Sequence, residues 1–311
     1  MKRHHDLGMQ TMNSKVQSLK TFFGKAGRVA LVEVAATKGS TPREAGAFML
    51  VSSSSIFGTI GGGQLEYMAI DKARQMLRSS PRDNGEGEQA RIEVDEVCAT
   101  LDVPLGPEIG QCCGGRVEVL IRLVDRTIEE RLIANAEAEE AHLPHVYLFG
   151  GGHVGQALAA SLALLPIHVV VVETRADALE GMPETVETRL TPMPEAVVRE
   201  APAGSAFAIL THDHALDFLI VAEALKRGDT AYVGMIGSKT KKATFKSWFL
   251  KSAEGSEAEF NRLISPIGGN AVKDKRPPVI AALAAAEIMT TLVSRASDTP
   301  SAASAEKAMA G

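Results

Sequence analysis

From Pro144 onward, short apolar runs alternate with helix-length stretches, and this alternation leaves very few folds open to the chain. His145-Val146-Tyr147-Leu148-Phe149 reads as a short buried strand, and a glycine turn then leads into a helix expected over 154–165. Ile167-His168-Val169-Val170-Val171-Val172 is rich in β-branched residues, the pattern of a strand covered on both faces. Ala206-Phe207-Ala208-Ile209-Leu210 and Ala231-Tyr232-Val233-Gly234-Met235-Ile236 read as further strands. A helix over 213–227 separates them, and another begins near Ser238. Regular strand–helix succession specifies an α/β unit, a Rossmann-like parallel sheet with helices on its faces.

The residues before this unit read as a smaller α+β domain. A helix over 14–23 precedes a strand over 28–35, the turn Gly39-Ser40-Thr41-Pro42, and two short strands over 48–51 and 56–59. Gly61-Gly62-Gly63 opens a helix over 65–77, and a polar surface loop is expected over 79–89. Strands near 90–94 and 116–123 flank a cysteine-bearing loop, and a helical linker over 127–141 leads onward. The expected division is therefore 1–142, 143–295 and a disordered Ala/Ser-rich tail, 296–311. A length of 311 residues agrees with two domains at roughly 150 residues each.

Composition excludes several classes of function. The net charge of −5, with no Lys/Arg tract, supplies no nucleic-acid surface. No run approaches the roughly 20 apolar residues that span a bilayer, and residues 1–10 lack the apolar core of a signal peptide. Three cysteines in so long a chain argue against a disulfide framework and for a reducing cytoplasm. A homodimer is the default assembly.

Four segments can carry chemistry. Phe149-Gly150-Gly151-Gly152-His153-Val154-Gly155 places Gly150, Gly152 and Gly155 in the register G-x-G-x-x-G, with His153 inside it, between a strand and a helix. Glu173 ends the next strand and can accept a ribose hydroxyl. The reading is a nucleotide or phosphate-bearing cofactor at a helix N-terminus, with helix–sheet packing as the plainer alternative. Gly61, Gly62 and Gly63 repeat the strand–glycine–helix arrangement and can form an anion nest with Glu66 at its mouth, or simply a sharp turn. In Thr211-His212-Asp213-His214, the residues His212 and His214 could share a metal with Asp217 as third donor, or the segment could cap a helix. Lys239, Lys241 and Lys242 open another helix and offer either an anion-docking point or a solvated basic face.

Gln111-Cys112-Cys113-Gly114-Gly115 is the most distinctive of all. Neighbouring thiols make a strained disulfide but suit a soft metal or a sulfur atom in transit. The alternative is a pair of small buried hydrophobes.

Together these segments resemble the XdhC/CoxI family of molybdenum-hydroxylase accessory proteins. The resemblance rests on Gly39-Ser40-Thr41-Pro42-Arg43, Gly58 to Gly63, Gly110 to Gly115, Phe149 to Gly155, Thr211 to Asp217, Tyr232 to Lys239 and Ser265 to Gly268. It implies a chaperone, not a turnover enzyme, that binds molybdenum cofactor (molybdopterin) and protects it during sulfuration. It implies delivery to apo-xanthine dehydrogenase, with a cysteine desulfurase as sulfur-supplying partner. Cys113, beside Cys112, matches the family cysteine that contacts the cofactor and its molybdenum. After Gly268 the chain departs from the family pattern, with Gly269-Asn270-Ala271-Val272-Lys273. The rival reading is an NAD(P)-dependent oxidoreductase using the glycine fingerprint, with His212 or His214 as acid–base.

Overall fold

The computed structural model describes residues 14–78, 98–106 and 114–298. The chain divides into two compact units, Asn13–Ala141 and, in the remainder, His142–Gly311.

The first unit is an antiparallel sheet between helices. Its elements are α1 (Lys15–Ala26), β1 (Val29–Lys38), β2 (Phe48–Ser52), β3 (Ile56–Gly58), α2 (Gly63–Arg78), β4 (Cys98–Pro104), β5 (Arg116–Leu123) and α3 (Arg126–Ala141). The strands lie in the order β3-β2-β1-β5-β4. Alternate residues of β1 serve opposite faces, as the period of a strand requires. Ala30, Val32 and Val34 pack with Leu65, Ala69 and Ala73 of α2, whereas Val29 and Leu31 pack with Leu19 of α1 and Leu132 of α3. The strand expected over 90–94 lies outside the described residues. β5 pairs with β1 on one side and on the other with β4, a strand the sequence pattern does not mark.

The second unit is a six-stranded, wholly parallel sheet. Its elements are β6 (His145–Phe149), α4 (His153–Leu162), β7 (His168–Glu173), β8 (Glu187–Leu190), α5 (Pro194–Glu200) and β9 (Ala206–Ile209). They continue with α6 (His214–Lys226), β10 (Tyr232–Met235), α7 (Lys239–Ser252), α8 (Glu257–Phe260), β11 (Leu263–Ile264) and α9 (Pro277–Asp298). The order β8-β7-β6-β9-β10-β11 is the Rossmann order 3-2-1-4-5-6, with its switch point between β6 and β9. Both faces are covered, so the inner strands β6, β7, β9 and β10 are largely apolar, whereas the edge strand β8 is not. Tyr147, Phe149, Val170, Val172, Phe207 and Ile209 face the core shared with α5 to α8. Val146, Leu148, Val169, Val171, Ala206 and Ala208 face α4 and α9.

Helix α9 corrects one expectation. Over Pro277–Arg295 it is long and apolar enough to cross a membrane by length and composition. Its Ala281, Ala284, Ala285, Ile288 and Leu292 are buried in the core over the sheet, although only 28% of the stretch is buried in all.

The three fingerprint glycines have separate duties. Gly150 adopts φ +115°, and a Cβ there would lie 2.7 Å from the Leu210 carbonyl oxygen. A Cβ on Gly155 would lie 2.0 Å from the Gly150 carbonyl oxygen, so this position lets α4 sit against the turn. Gly152, at φ −68°, has nothing within 4 Å of its Cβ position. Gly155→Ala is therefore expected to cost about 1–3 kcal/mol in urea denaturation, while Gly152→Ala stays within about 1 kcal/mol of wild type.

Candidate functional site

In the parallel-sheet unit, the loops leaving β6, β7, β9 and β10 enclose a cleft of ≈ 300 Å³ at the carboxyl edge of the sheet. Open α/β sheets place ligands at this edge, beside the switch point. The cleft brings together Gly150, Gly152, His153, Glu173 and His212 from the sequence candidates. Gly155 is instead buried in helix packing, and Lys239 is exposed on the first turn of α7, outside the cleft lining. Leu210, Ile236, Val154 and Pro277 give the cleft apolar walls; Arg175, His153 and His212 are exposed on its polar side. Gly152 is the N-cap of α4 and makes no side-chain capping hydrogen bond.

Glu173 is only 5 % exposed, and both of its carboxylate oxygens are engaged within the chain. Oε2 accepts from the Gly151 amide at 2.9 Å and from the Arg175 guanidinium at 3.5 Å. Oε1 accepts from the amides of Thr174 at 2.8 Å and Arg175 at 3.2 Å, and from the Thr174 hydroxyl at 3.2 Å. Burial pushes the Glu173 pKa up, but these donors outweigh it and hold the carboxyl below its ordinary range. The residue expected to receive a ribose hydroxyl thus ties the glycine loop to the end of β7.

The Thr211–His214 segment resolves in favour of capping. Asp213 is the N-cap of α6 and accepts from the amides of Ala215 and Leu216. Asp217 is fully buried; its Oδ1 accepts from the Thr211 amide at 3.1 Å and hydroxyl at 2.7 Å. Its Oδ2 accepts from the Lys241 ammonium, which also donates to the Ile236 carbonyl at 3.1 Å. Asp217 is therefore paired with an internal cation and is not a third metal donor for His212 and His214. Among the described residues, no group of three or more His, Cys, Asp or Glu side chains could hold a metal ion.

Neither reading of the α7 lysines, an anion-docking point or a solvated basic face, holds for all three. Lys241 is buried against Asp217, and Lys242 donates to the Leu263 carbonyl at 3.2 Å. Spacing alone groups Lys241 with its neighbours, because it does not show an acid 24 positions upstream. Arg175 is a further cleft residue, marked in the sequence only as a cation two residues beyond the acid that ends β7.

In the antiparallel-sheet unit the glycine nest is partly occupied by a carboxylate of the chain itself. Glu66 Oε2 accepts from the Thr59 hydroxyl at 2.6 Å and from the amides of Ile60 at 3.2 Å and Gly62 at 3.0 Å. The Gly61 amide donates to the Thr59 hydroxyl oxygen at 3.1 Å. The amides assigned to an external anion at Gly61, Gly62 and Gly63 are thus in part taken by Glu66. The same corner draws three motifs together. A Cβ on Gly61 would lie 2.6 Å from Pro42, and one on Gly115 would lie 2.1 Å from the Ser40 carbonyl oxygen. Leu105 exchanges backbone hydrogen bonds with Gly114 and Gly115, closing the root of the cysteine loop. Cys112 and Cys113 themselves lie outside the described residues. The one described cysteine, Cys98, is exposed on β4.

Two outcomes are expected of these networks. Lys241→Met leaves a buried carboxylate unpaired and costs about 3–5 kcal/mol in chemical denaturation, and adding Asp217→Asn recovers part of the loss. Glu173 has a lowered pKa in the folded chain, so its stabilisation is present above the ordinary glutamate value of about 4.3 and disappears as pH falls through the folded value. Thermal melts of Glu173→Gln should accordingly show a shallower loss of stability on acidification than wild type.

Comparison with known proteins gives three findings. Residues 146–288 match the family model of the XdhC Rossmann domain, and residues 24–83 match that of the XdhC and CoxI family. The uncharacterized protein YqeB of Escherichia coli (strain K12) is 28% identical over 270 residues, 84% of this chain and 43% of that protein. The chain therefore spans less than half the length of this curated relative. A crystal structure from Bacillus halodurans, described as a xanthine dehydrogenase, has the same fold at a TM-score of 0.72 and 18% identity. The match covers 91% of this chain and 97% of that one.

Proposed function

This chain belongs to the XdhC and CoxI family, and on that premise we propose that it serves the maturation of xanthine dehydrogenase. In this reading it binds molybdenum cofactor, shields it while the terminal sulfur is installed, and passes it to the apo-dehydrogenase. A cysteine desulfurase supplies the sulfur, and the chain acts in the reducing cytoplasm as an accessory protein and a homodimer. Thiolates at Cys112 and Cys113 would hold the metal end; when bound, the cofactor supplies the molybdenum centre on which the dehydrogenase depends.

One observation carries the reading. Gly39, Ser40, Gly114 and Gly115 meet at the root of the two-cysteine loop in close backbone approach, and the Pro42 ring next along the chain packs against Gly61. Close backbone approach at this point fixes where the loop leaves the sheet, and a thiol pair with a fixed root suits the reversible holding of a soft metal. Taken by itself, the parallel-sheet unit offers a cleft of its own for a phosphate-bearing ligand. The open space at Gly152, the apolar walls and the polar side formed by Arg175, His153 and His212 suit a phosphorylated ring.

The test uses protein purified from a cell that makes the cofactor, with bound molybdenum measured by mass spectrometry and bound pterin by fluorescence. Wild type is expected to carry both and to activate apo-xanthine dehydrogenase when mixed with it. The Cys112→Ala, Cys113→Ala double variant should lose most of the molybdenum. Equal metal in variant and wild type would reject the thiol role.

A further inference from the structure

We propose that the cleft at the carboxyl edge of the parallel sheet takes a compact phosphate ester with one ring system and is shut to dinucleotides, Glu173 and the turn at Asp177–Leu179 setting that selectivity. This deepens the reading above and rests on it only in naming a pterin phosphate as one such ester.

A dinucleotide in a Rossmann cleft needs two things on its adenosine side. A carboxylate at the end of the second strand must be free to accept a ribose hydroxyl, and the ribose must reach it past the glycine loop. Here both are used by the chain. All the acceptor capacity of Glu173 facing the loop goes to the Gly151, Thr174 and Arg175 donors, and its side chain is nearly sealed from solvent. The turn at Asp177–Leu179 lies directly on the loop; a Cβ on Gly151 would stand 2.3 Å from the Ala178 carbonyl oxygen and 3.3 Å from the Ala178 methyl.

What is left open is the other half of the cleft. Gly152 presents bare backbone with no atom within 4 Å of its Cβ position, Leu210 and Ile236 offer apolar surface, and His153, His212 and Arg175 supply polar, basic groups. A volume of ≈ 300 Å³ lies at the small end of the roughly 300–1,000 Å³ range of ligand pockets. Such a space suits one ring and one phosphate better than two nucleosides joined by a diphosphate.

The experiment titrates the full chain with inorganic phosphate, NAD and NADP separately, following backbone amide shifts by NMR. Inorganic phosphate should move the Gly152, His153 and Val154 amides saturably, and neither dinucleotide should bind more tightly than phosphate does. Arg175→Ala, a change at an exposed side chain, should weaken phosphate binding about tenfold. The proposal is overturned if NAD or NADP binds at least about tenfold more tightly than phosphate, if phosphate leaves those amides unmoved, or if Arg175→Ala binds phosphate as wild type does. Tight dinucleotide binding together with normal molybdenum and pterin loading rejects this inference alone. Absent loading with the phosphate preference intact rejects only the maturation reading.

Discussion

In both units of the chain, a glycine loop that follows a strand turns amide hydrogens inward, and a carboxylate from the same chain accepts them. Glu66 does this for Ile60 and Gly62, and Glu173 for Gly151. Asp217 does the same for Thr211 on the loop beyond β9. Buried amides must find acceptors, because one left unpaired costs as much as a lost hydrogen bond. Glycine frees the backbone to bend this sharply, and the acid then fixes the bend. The loops are therefore held by charge-assisted hydrogen bonds that roughly double the strength of neutral ones. Each acid spent in this way is also withdrawn from ligand chemistry.

The sequence revealed the scaffold better than it revealed these internal partners. Strands β6, β7, β9 and β10 were legible because a parallel strand buried on two faces has no polar positions to blur it. Strand β8 was not, since Glu187 and Arg189 alternate with Thr188 and Leu190 at a sheet edge and pair with each other. Strand β4 was missed for a related reason: its alternate residues are exposed, and Cys98, Thr100 and Asp102 do not mark a core strand. Helices α5 and α8 are only one or two turns long, too short for a periodic signal.

The candidate site was legible as a set of loops, but the state of its residues was not. The spacing of Gly150, Gly152 and Gly155 located the cleft, because Gly150 and Gly155 answer local steric demands that repeat wherever a helix packs on a strand in this way. The occupancy of Glu173 depends on whether the Gly151 amide points at it, and that is decided by a turn whose packing follows Ala178. Lys241 shows the same limit more sharply. Beside Lys239 and Lys242 it reads as surface charge, yet Asp217 lies one helix earlier and draws it into the interior. The partner that gives a charge its meaning is distant in sequence, and only the fold brings it near.

The buried Asp217–Lys241 pair also explains how an exposed edge keeps its shape. Thr211 and Ile236 line the cleft, and each is bonded to one member of the pair: Thr211 to Asp217, and the Ile236 carbonyl to Lys241. Gly237 leaves the lysine its path, for a Cβ there would lie 2.7 Å from Lys241 Cδ. A hydrophobic pair of equal volume could contribute comparable stability, but it could not accept the Thr211 amide or donate to the Ile236 carbonyl. The ion pair thus ties the ends of β9 and β10 together through directional bonds. With Glu173 fixing the other side at the end of β7, the cleft between them is set before any ligand arrives, and preorganisation of this kind lowers the ordering cost of binding.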